Sequence, residues 1–203
     1  GSQDLAGRRV IAIYQTAGAG HAMSTTITVF GTSHARSGEA LYEEARRLGE
    51  ALARAGYTVA NGGYGGTMRG TAEGAHRVDG RVIGVTCSAF GRRGPNEFVT
   101  EEVRTDSLVE RLGRLVDLGR GYVVLPGGTG TLLELAEVWE LKNKRLGPAG
   151  RPIVLLGTFW NPLLDLMDRM DPGCREHLAI AANVEEVMDI LRRSLTVQEG
   201  RPQ

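Results

Sequence analysis

From Thr26 onward, short runs rich in β-branched residues alternate with longer amphipathic stretches. That rhythm admits few architectures other than repeated βαβ units around a parallel sheet. Strands are predicted over residues 27–30, 58–61, 82–85, 122–125 and 153–156. Between the first two, Leu41, Ala45, Leu48 and Leu52 recur at helical spacing, so 38–55 reads as a helix lying on the sheet, with Gly56 as its stop. Further helices are predicted over 67–77, 107–118, 131–144, 161–170 and 184–194. The expected class is α/β, a three-layer fold with a mainly parallel sheet and helices on both faces.

A chain of 203 residues with 41% hydrophobic content suits one well-buried core, expected here over residues 24–195. Gly1-Ser2 has the form of a cleavage scar and Met23 that of a start. Residues 1–23 are therefore read as an extension, in which Arg9-Val10-Ile11-Ala12-Ile13-Tyr14 offers an accessory strand, and 196–203 as a flexible tail. The 24 basic and 24 acidic residues cancel, so no net field draws nucleic acid or an anionic membrane. Anion recognition has to be local. No apolar run approaches the roughly 20 residues that span a bilayer. Cys87 and Cys174 are too few and too far apart for a disulfide framework or zinc site, and are read as free thiols in a reducing compartment. The expected location is the cytoplasm.

In open parallel sheets, ligands sit beyond the carboxyl ends of the strands. After the predicted fourth strand come Pro126, Gly127, Gly128, Thr129, Gly130, Thr131, Leu132, Leu133 and Glu134, leading into a helix. Glycine lets backbone approach an oxyanion, and a helix start offers unpaired N–H groups with partial positive charge. Thr131 with Glu134 could be no more than a capping box. That leaves three glycines and a second threonine unexplained, so phosphate binding through Gly127, Gly128, Thr129, Gly130 and Thr131 is the stronger reading. After the second strand, Gly62, Gly63, Tyr64, Gly65, Gly66 and Thr67 form another glycine-dense turn, serving either close helix–sheet packing or ligand contact. The first strand ends in Gly31, Thr32 and Ser33, not in a dinucleotide fingerprint, which disfavours an ordinary NAD site. His34 and His76 lack metal-ligand partners at useful spacing and read as ordinary polar residues. The segment Gly91-Arg92-Arg93-Gly94-Pro95-Asn96 reads as a mobile loop.

The predicted helix 107–118 carries an apolar stripe of Leu108, Leu112, Leu115 and Leu118, with Arg111 among them. An arginine cannot shed its charge, so if directed inward it needs an anion. Otherwise it reaches outward to solvent or makes a structural ion pair.

From Thr26 to Ser194 the chain resembles the Lonely Guy (LOG) phosphoribohydrolases, which release a free base and ribose 5-phosphate from cytokinin riboside 5′-monophosphates. The family's PGGxGTxxE motif is matched in full from Pro126 to Glu134. The resemblance implies a Rossmann-like fold, a dimer or larger assembly, and a catalytic pair made of the motif's glutamate, Glu134, and the arginine of an upstream MHxRK segment. Alignment without gaps puts Arg111 on that arginine, where it is expected to hold Glu134 ionised. The Met-His of that segment is Leu108-Val109 here, its lysine is Leu112, and Arg120 stands where an aspartate is common. The glycine turn departs as well, with Gly31, Thr32, Ser33, Gly62, Gly63, Gly65, Gly66 and Thr67 kept as candidate substrate contacts. A lysine decarboxylase label has also been given to such proteins. The chain's two lysines, Lys142 and Lys144, supply no pattern for a pyridoxal phosphate Schiff base.

Two functions follow. The first is an enzyme cleaving the N-glycosidic bond of a purine nucleoside 5′-monophosphate, needing no cofactor and no metal and acting as a homodimer. The alternative is a non-catalytic carrier of a nucleotide or of molybdenum cofactor. A carboxylate beside a phosphate cradle favours the enzyme, because a carrier of anions gains nothing from it.

Overall fold

A computed structural model describes residues 24–146 and 150–199. The stretch 9–14, read above as an accessory strand, lies outside them. Seven strands form one sheet: β1 Thr26–Phe30, β2 Thr58–Asn61, β3 Val82–Cys87, β4 Glu101–Thr105, β5 Gly121–Val124, β6 Ile153–Leu156 and β7 Ala179–Ala181. Six helices join them: α1 Ala40–Arg54, α2 Thr67–His76, α3 Leu108–Leu118, α4 Thr129–Asn143, α5 Asn161–Met170 and α6 Val184–Glu199. Every strand pair is parallel. The fold is the α/β three-layer arrangement expected from the alternation.

Period-two alternation along the central strands divides the core into two layers. Ile27, Val29, Val123, Leu125, Val154 and Leu156 face α1, α2 and α6, where Leu48, Leu52, Ala72 and Leu191 bury against them. Phe30, Tyr122, Val124, Ile153 and Leu155 face the opposite way, against Leu115, Leu135, Trp139 and Leu164 of α3, α4 and α5. Burying one leucine or phenylalanine side chain contributes about 1.5–3 kcal/mol, so these two layers carry most of the fold's stability.

Two edge strands were not predicted. β4 reads Glu-Glu-Val-Arg-Thr, whose exposed charges suit a sheet edge but carry no hydrophobic alternation. β7 has three residues. Helix α6 runs to Glu199, past its expected end at Ser194.

The strand order is β4-β3-β2-β1-β5-β6-β7. From β1 the chain builds outward to β4 on one side, then returns to lay β5 against the other side of β1. The order reverses between β1 and β5, and the carboxyl ends of those strands flank a crevice.

Candidate active site

Three turns meet in that crevice. The Thr32 N–H donates to the Pro126 carbonyl at 3.3 Å, and the Thr32 carbonyl accepts from the Thr67 N–H at 2.9 Å and the Thr67 hydroxyl at 3.0 Å. The turns after β1, β2 and β5 are thereby fastened together around a cleft of about 540 Å³.

Helix α4 opens this cleft with its amino end. Its N-cap is Gly128, and the first bonded N–H is that of Leu132, which donates to the Gly128 carbonyl at 2.9 Å. The N–H groups of Thr129, Gly130 and Thr131 have no backbone partner among the described residues. Because the helix begins at Thr129, Thr131 is not its cap and Glu134 does not close a capping box. Gly128, Thr129, Gly130 and Thr131 all line the cleft. Gly127 does not line it, and a Cβ there would stand 2.1 Å from the Thr131 hydroxyl oxygen, so packing by itself requires this glycine. A Cβ on Gly128 or Gly130 would meet nothing within 4 Å, so the fold itself does not require those two glycines.

Glu134 lies further along α4 and points into the cleft floor beside Arg111 of α3. Arg111 is 7% exposed. Its Nε donates to the Val85 carbonyl at 2.9 Å, and its Nη1 lies 3.4 Å from Glu134 Oε1. The rings of Phe90 and Tyr64 stand 5.5 and 5.8 Å from the guanidinium carbon. Arg111 therefore points inward and has its anion. Burial pushes the Glu134 carboxyl up to about 7, and the Arg111 charge pulls it only part of the way back. Desolvation and the Arg111 charge thus act on this carboxyl in opposite directions, with burial the larger.

The glycine turn after β2 is mostly a scaffold. Gly62, Gly63, Gly65, Gly66 and Thr67 do not line the cleft, whereas Tyr64 and Met68 of the same segment do. A Cβ on Gly62 would strike Arg111, and one on Gly66, which has φ +68°, would stand 2.1 Å from the Thr32 carbonyl oxygen. From the first turn, Gly31, Thr32 and Ser33 do line the cleft, joined by His34. On α3, the expected stripe divides: Leu115 is buried, whereas Leu108 is largely exposed at the cleft and Leu112 lines it.

Sequence reasoning missed Tyr64, Met68, Phe90, Arg92 and Leu133 as cleft residues. Phe90 and Arg92 directly follow β3, and that position beyond a strand's carboxyl end was the available signal. The loop read as mobile is tied down by Asn96, whose N–H donates to the Gly63 carbonyl at 2.7 Å and whose side-chain amide donates to the carbonyls of Gly63 and Tyr64. Among the described residues, no cluster of three or more His, Cys, Asp or Glu could hold a metal, and no helix is long and apolar enough to cross a membrane.

A family model described as possible lysine decarboxylase matches residues 68–191. The cytokinin riboside 5′-monophosphate phosphoribohydrolase of Mycobacterium tuberculosis is 31% identical over 159 residues, covering 73% of this chain and 83% of that protein. The chain belongs to the LOG family. Another LOG relative, the enzyme of the same name from Rhodococcoides fascians, is 27% identical over 178 residues, 82% of this chain and 89% of its own. Solved structures share the fold at lower identity. The molybdenum cofactor binding protein of Rippkaea orientalis superposes with a TM-score of 0.71 at 20% identity, covering 86% of this chain and 99% of that one. The molybdenum cofactor carrier protein of Chlamydomonas reinhardtii gives 0.65 at 23% identity, with the same coverages. Despite the family model's description, Lys142 and Lys144 sit at the far end of α4 from the cleft, about 20 Å from its first turn at 1.5 Å per residue.

Proposed function

We propose that the protein hydrolyses the N-glycosidic bond of a purine nucleoside 5′-monophosphate, giving free base and ribose 5-phosphate. The observation that carries this reading is the buried Arg111–Glu134 pair on the floor of the cleft that α4 opens with three unbonded N–H groups. The phosphate binds at Thr129–Thr131, and that remote binding energy holds the ribose with its anomeric carbon towards Glu134. As the bond to the base stretches, positive charge develops on the sugar, and the ionised Glu134 stabilises it or orients the attacking water. Arg111 positions the carboxylate and keeps part of its population ionised. The names of the curated relatives support this reading for the reaction class.

The carrier reading draws on the structural neighbours, which share the fold. A carrier of anionic ligands has no use for a carboxylate next to the phosphate site, so Glu134 favours the hydrolase. The test is incubation with a panel of purine nucleoside monophosphates and chromatography for released base and ribose 5-phosphate. Release from a monophosphate, with the matching nucleoside far slower and chelator without effect, is the expected result. Tight binding with no release from any of them favours the carrier.

A further inference from the structure

Tyr64 and Arg111 are held by the same stretch of backbone. Strand β2 ends at Asn61, opposite Gly84, whereas β3 runs on to Cys87. Past Gly84 the β3 edge that faced β2 has lost its neighbour, and its polar groups need other partners. Side chains supply them. Arg111 Nε donates to the Val85 carbonyl at 2.9 Å. The Tyr64 hydroxyl accepts from the Cys87 N–H at 2.8 Å and donates to the Cys87 carbonyl at 3.2 Å. The intervening Thr86 carbonyl serves the other edge, accepting from the Thr105 hydroxyl of β4 at 2.8 Å.

That arrangement puts a fixed ring beside the guanidinium. The Tyr64 ring centroid is 5.8 Å from the Arg111 guanidinium carbon, and Phe90, 6.1 Å from Tyr64, adds a second ring at 5.5 Å. Both fall within the roughly 6 Å over which a ring face attracts a cation. Tyr64 is 7% exposed and bonded twice through its hydroxyl, so its ring has little freedom. The Asn96 side-chain amide fixes its backbone as well, donating to the Tyr64 carbonyl at 2.9 Å. Arg111 needs such support, because its contact with Glu134 is a single one of 3.4 Å, longer than a good N–H···O bond.

We propose that Tyr64 is a positioning residue for the Arg111–Glu134 pair, its ring holding the guanidinium in place with Phe90 as the second wall. The hydroxyl has a separate task, which is to satisfy Cys87 and fix the ring. For its effect on turnover this inference rests on the hydrolase reading above; for its effect on Glu134 it does not. Of the other charged and titratable side chains that line the cleft, His34, Tyr64, Arg92 and Arg111, only Arg111 lies at ion-pair distance from Glu134. A displaced Arg111 therefore shows in the proton affinity of Glu134.

The experiment titrates Glu134 by carbon-13 NMR on protein labelled at its glutamate carboxyls, the signal being assigned by difference from Glu134→Gln. Parent, Tyr64→Phe, Tyr64→Leu and Phe90→Leu are compared, and the pH profile of kcat/KM is measured on each. Tyr64→Leu should move the midpoint up from about 7 by about one pH unit, because burial stays while the opposing Arg111 charge withdraws. Phe90→Leu should shift it the same way by less. Tyr64→Phe should keep the parent's midpoint yet melt at a lower temperature, since Cys87 loses both partners. The inflection in kcat/KM should follow the NMR midpoint, and phosphate affinity should change little in any of the three. A midpoint that stays or falls in Tyr64→Leu overturns the proposal, a fall being the mark of water entering the cleft. So does a Tyr64→Phe midpoint that moves as far as that of Tyr64→Leu. If Tyr64→Leu does not fold, Phe90→Leu decides: an upward shift upholds the proposal and an unchanged midpoint overturns it. If the parent releases no base from any monophosphate, the hydrolase reading fails, and the NMR midpoints still decide the role of Tyr64.

Discussion

The Arg111 guanidinium occupies the space that a side chain at Gly62 would need: a Cβ there would stand 1.8 Å from Arg111 Nη2 and 2.6 Å from Met68 Sδ. The glycine after β2 therefore leaves the room in which Arg111 lies between Val85 and Glu134. Gly62→Ala should push the guanidinium off Glu134 and cost about 1–3 kcal/mol of stability by overpacking. Turnover should fall with little change in phosphate affinity, because the start of α4 is untouched. Thermal melts, steady-state kinetics and phosphate titration of the one variant check all three.

Gly128 and Gly130 differ from Gly127 in a way that separates packing from binding. A Cβ at either has open space, whereas one at Gly127 meets the Thr131 side chain. Gly130→Ala, within the first turn of α4, should leave the fold intact or stabilise it by up to about 1 kcal/mol. The same methyl stands where an oxyanion is expected, and each displaced phosphate hydrogen bond should cost about 1.5–3 kcal/mol of affinity. Gly128→Ala should lose phosphate affinity likewise, with a small loss of stability because alanine is a poorer N-cap than glycine, and Gly127→Ala should destabilise the protein. Melting curves with and without phosphate distinguish the three. A Gly130→Ala variant that binds phosphate as well as the parent would remove these N–H groups from the site.

Most of this architecture could be read from the sequence because hydrophobic periodicity reports burial. The five central strands are buried on both faces and read as apolar runs, while Glu101–Thr105 and Ala179–Ala181 lie at the edges, where that signal fades. In the candidate site, Arg111 and Glu134 could be read because an inward arginine demands an anion and a glycine-rich helix start invites one. The aromatic wall could not. Tyr64 sits within a run of glycines whose pattern spoke for the backbone, and Phe90 and Arg92 sit in a loop with no periodicity at all. Nor does sequence reveal the balance between burial and charge at Glu134, which depends on how far two helices bring two side chains together.

An exposed apolar surface on α3 and α4 is the expected homodimer contact. Val109 is 81% exposed, and Leu108, Leu132 and Leu133 are also exposed on these two helices. We expect a dimer by sedimentation at micromolar concentration. Val109 and Leu132 lie outside the cleft lining, so Val109→Glu with Leu132→Glu tests the contact without altering the site directly. That double variant should sediment as a folded monomer, since a charge on each helix makes association bury unpaired carboxylates. A parent that is already monomeric at that concentration rejects the idea.

The Glu134 carboxyl supplies the last prediction, because stability and activity should depend on its proton in opposite directions. Its folded value of about 7 lies above the ordinary 4.5, so the folded state holds this proton more tightly than the unfolded chain does. The stabilisation is fully present below about pH 4.5 and is lost as pH rises through about 7. Glu134→Gln is neutral at every pH and lacks this loss, so its melting temperature should gain on that of the parent as pH rises from the ordinary value of 4.5 through the folded value of about 7. Activity requires the ionised form in the proposed reaction. The parent's kcat/KM should therefore rise with pH through about 7 and then level off. Glu134→Gln keeps the shape and loses the charge, so kcat should fall by about 10²–10⁴ and the inflection should vanish while phosphate still binds. A pH profile that falls through 7 would instead assign the protonated carboxyl to the chemistry, as an acid acting on the departing base. Unchanged turnover in Glu134→Gln would remove this residue from the reaction altogether.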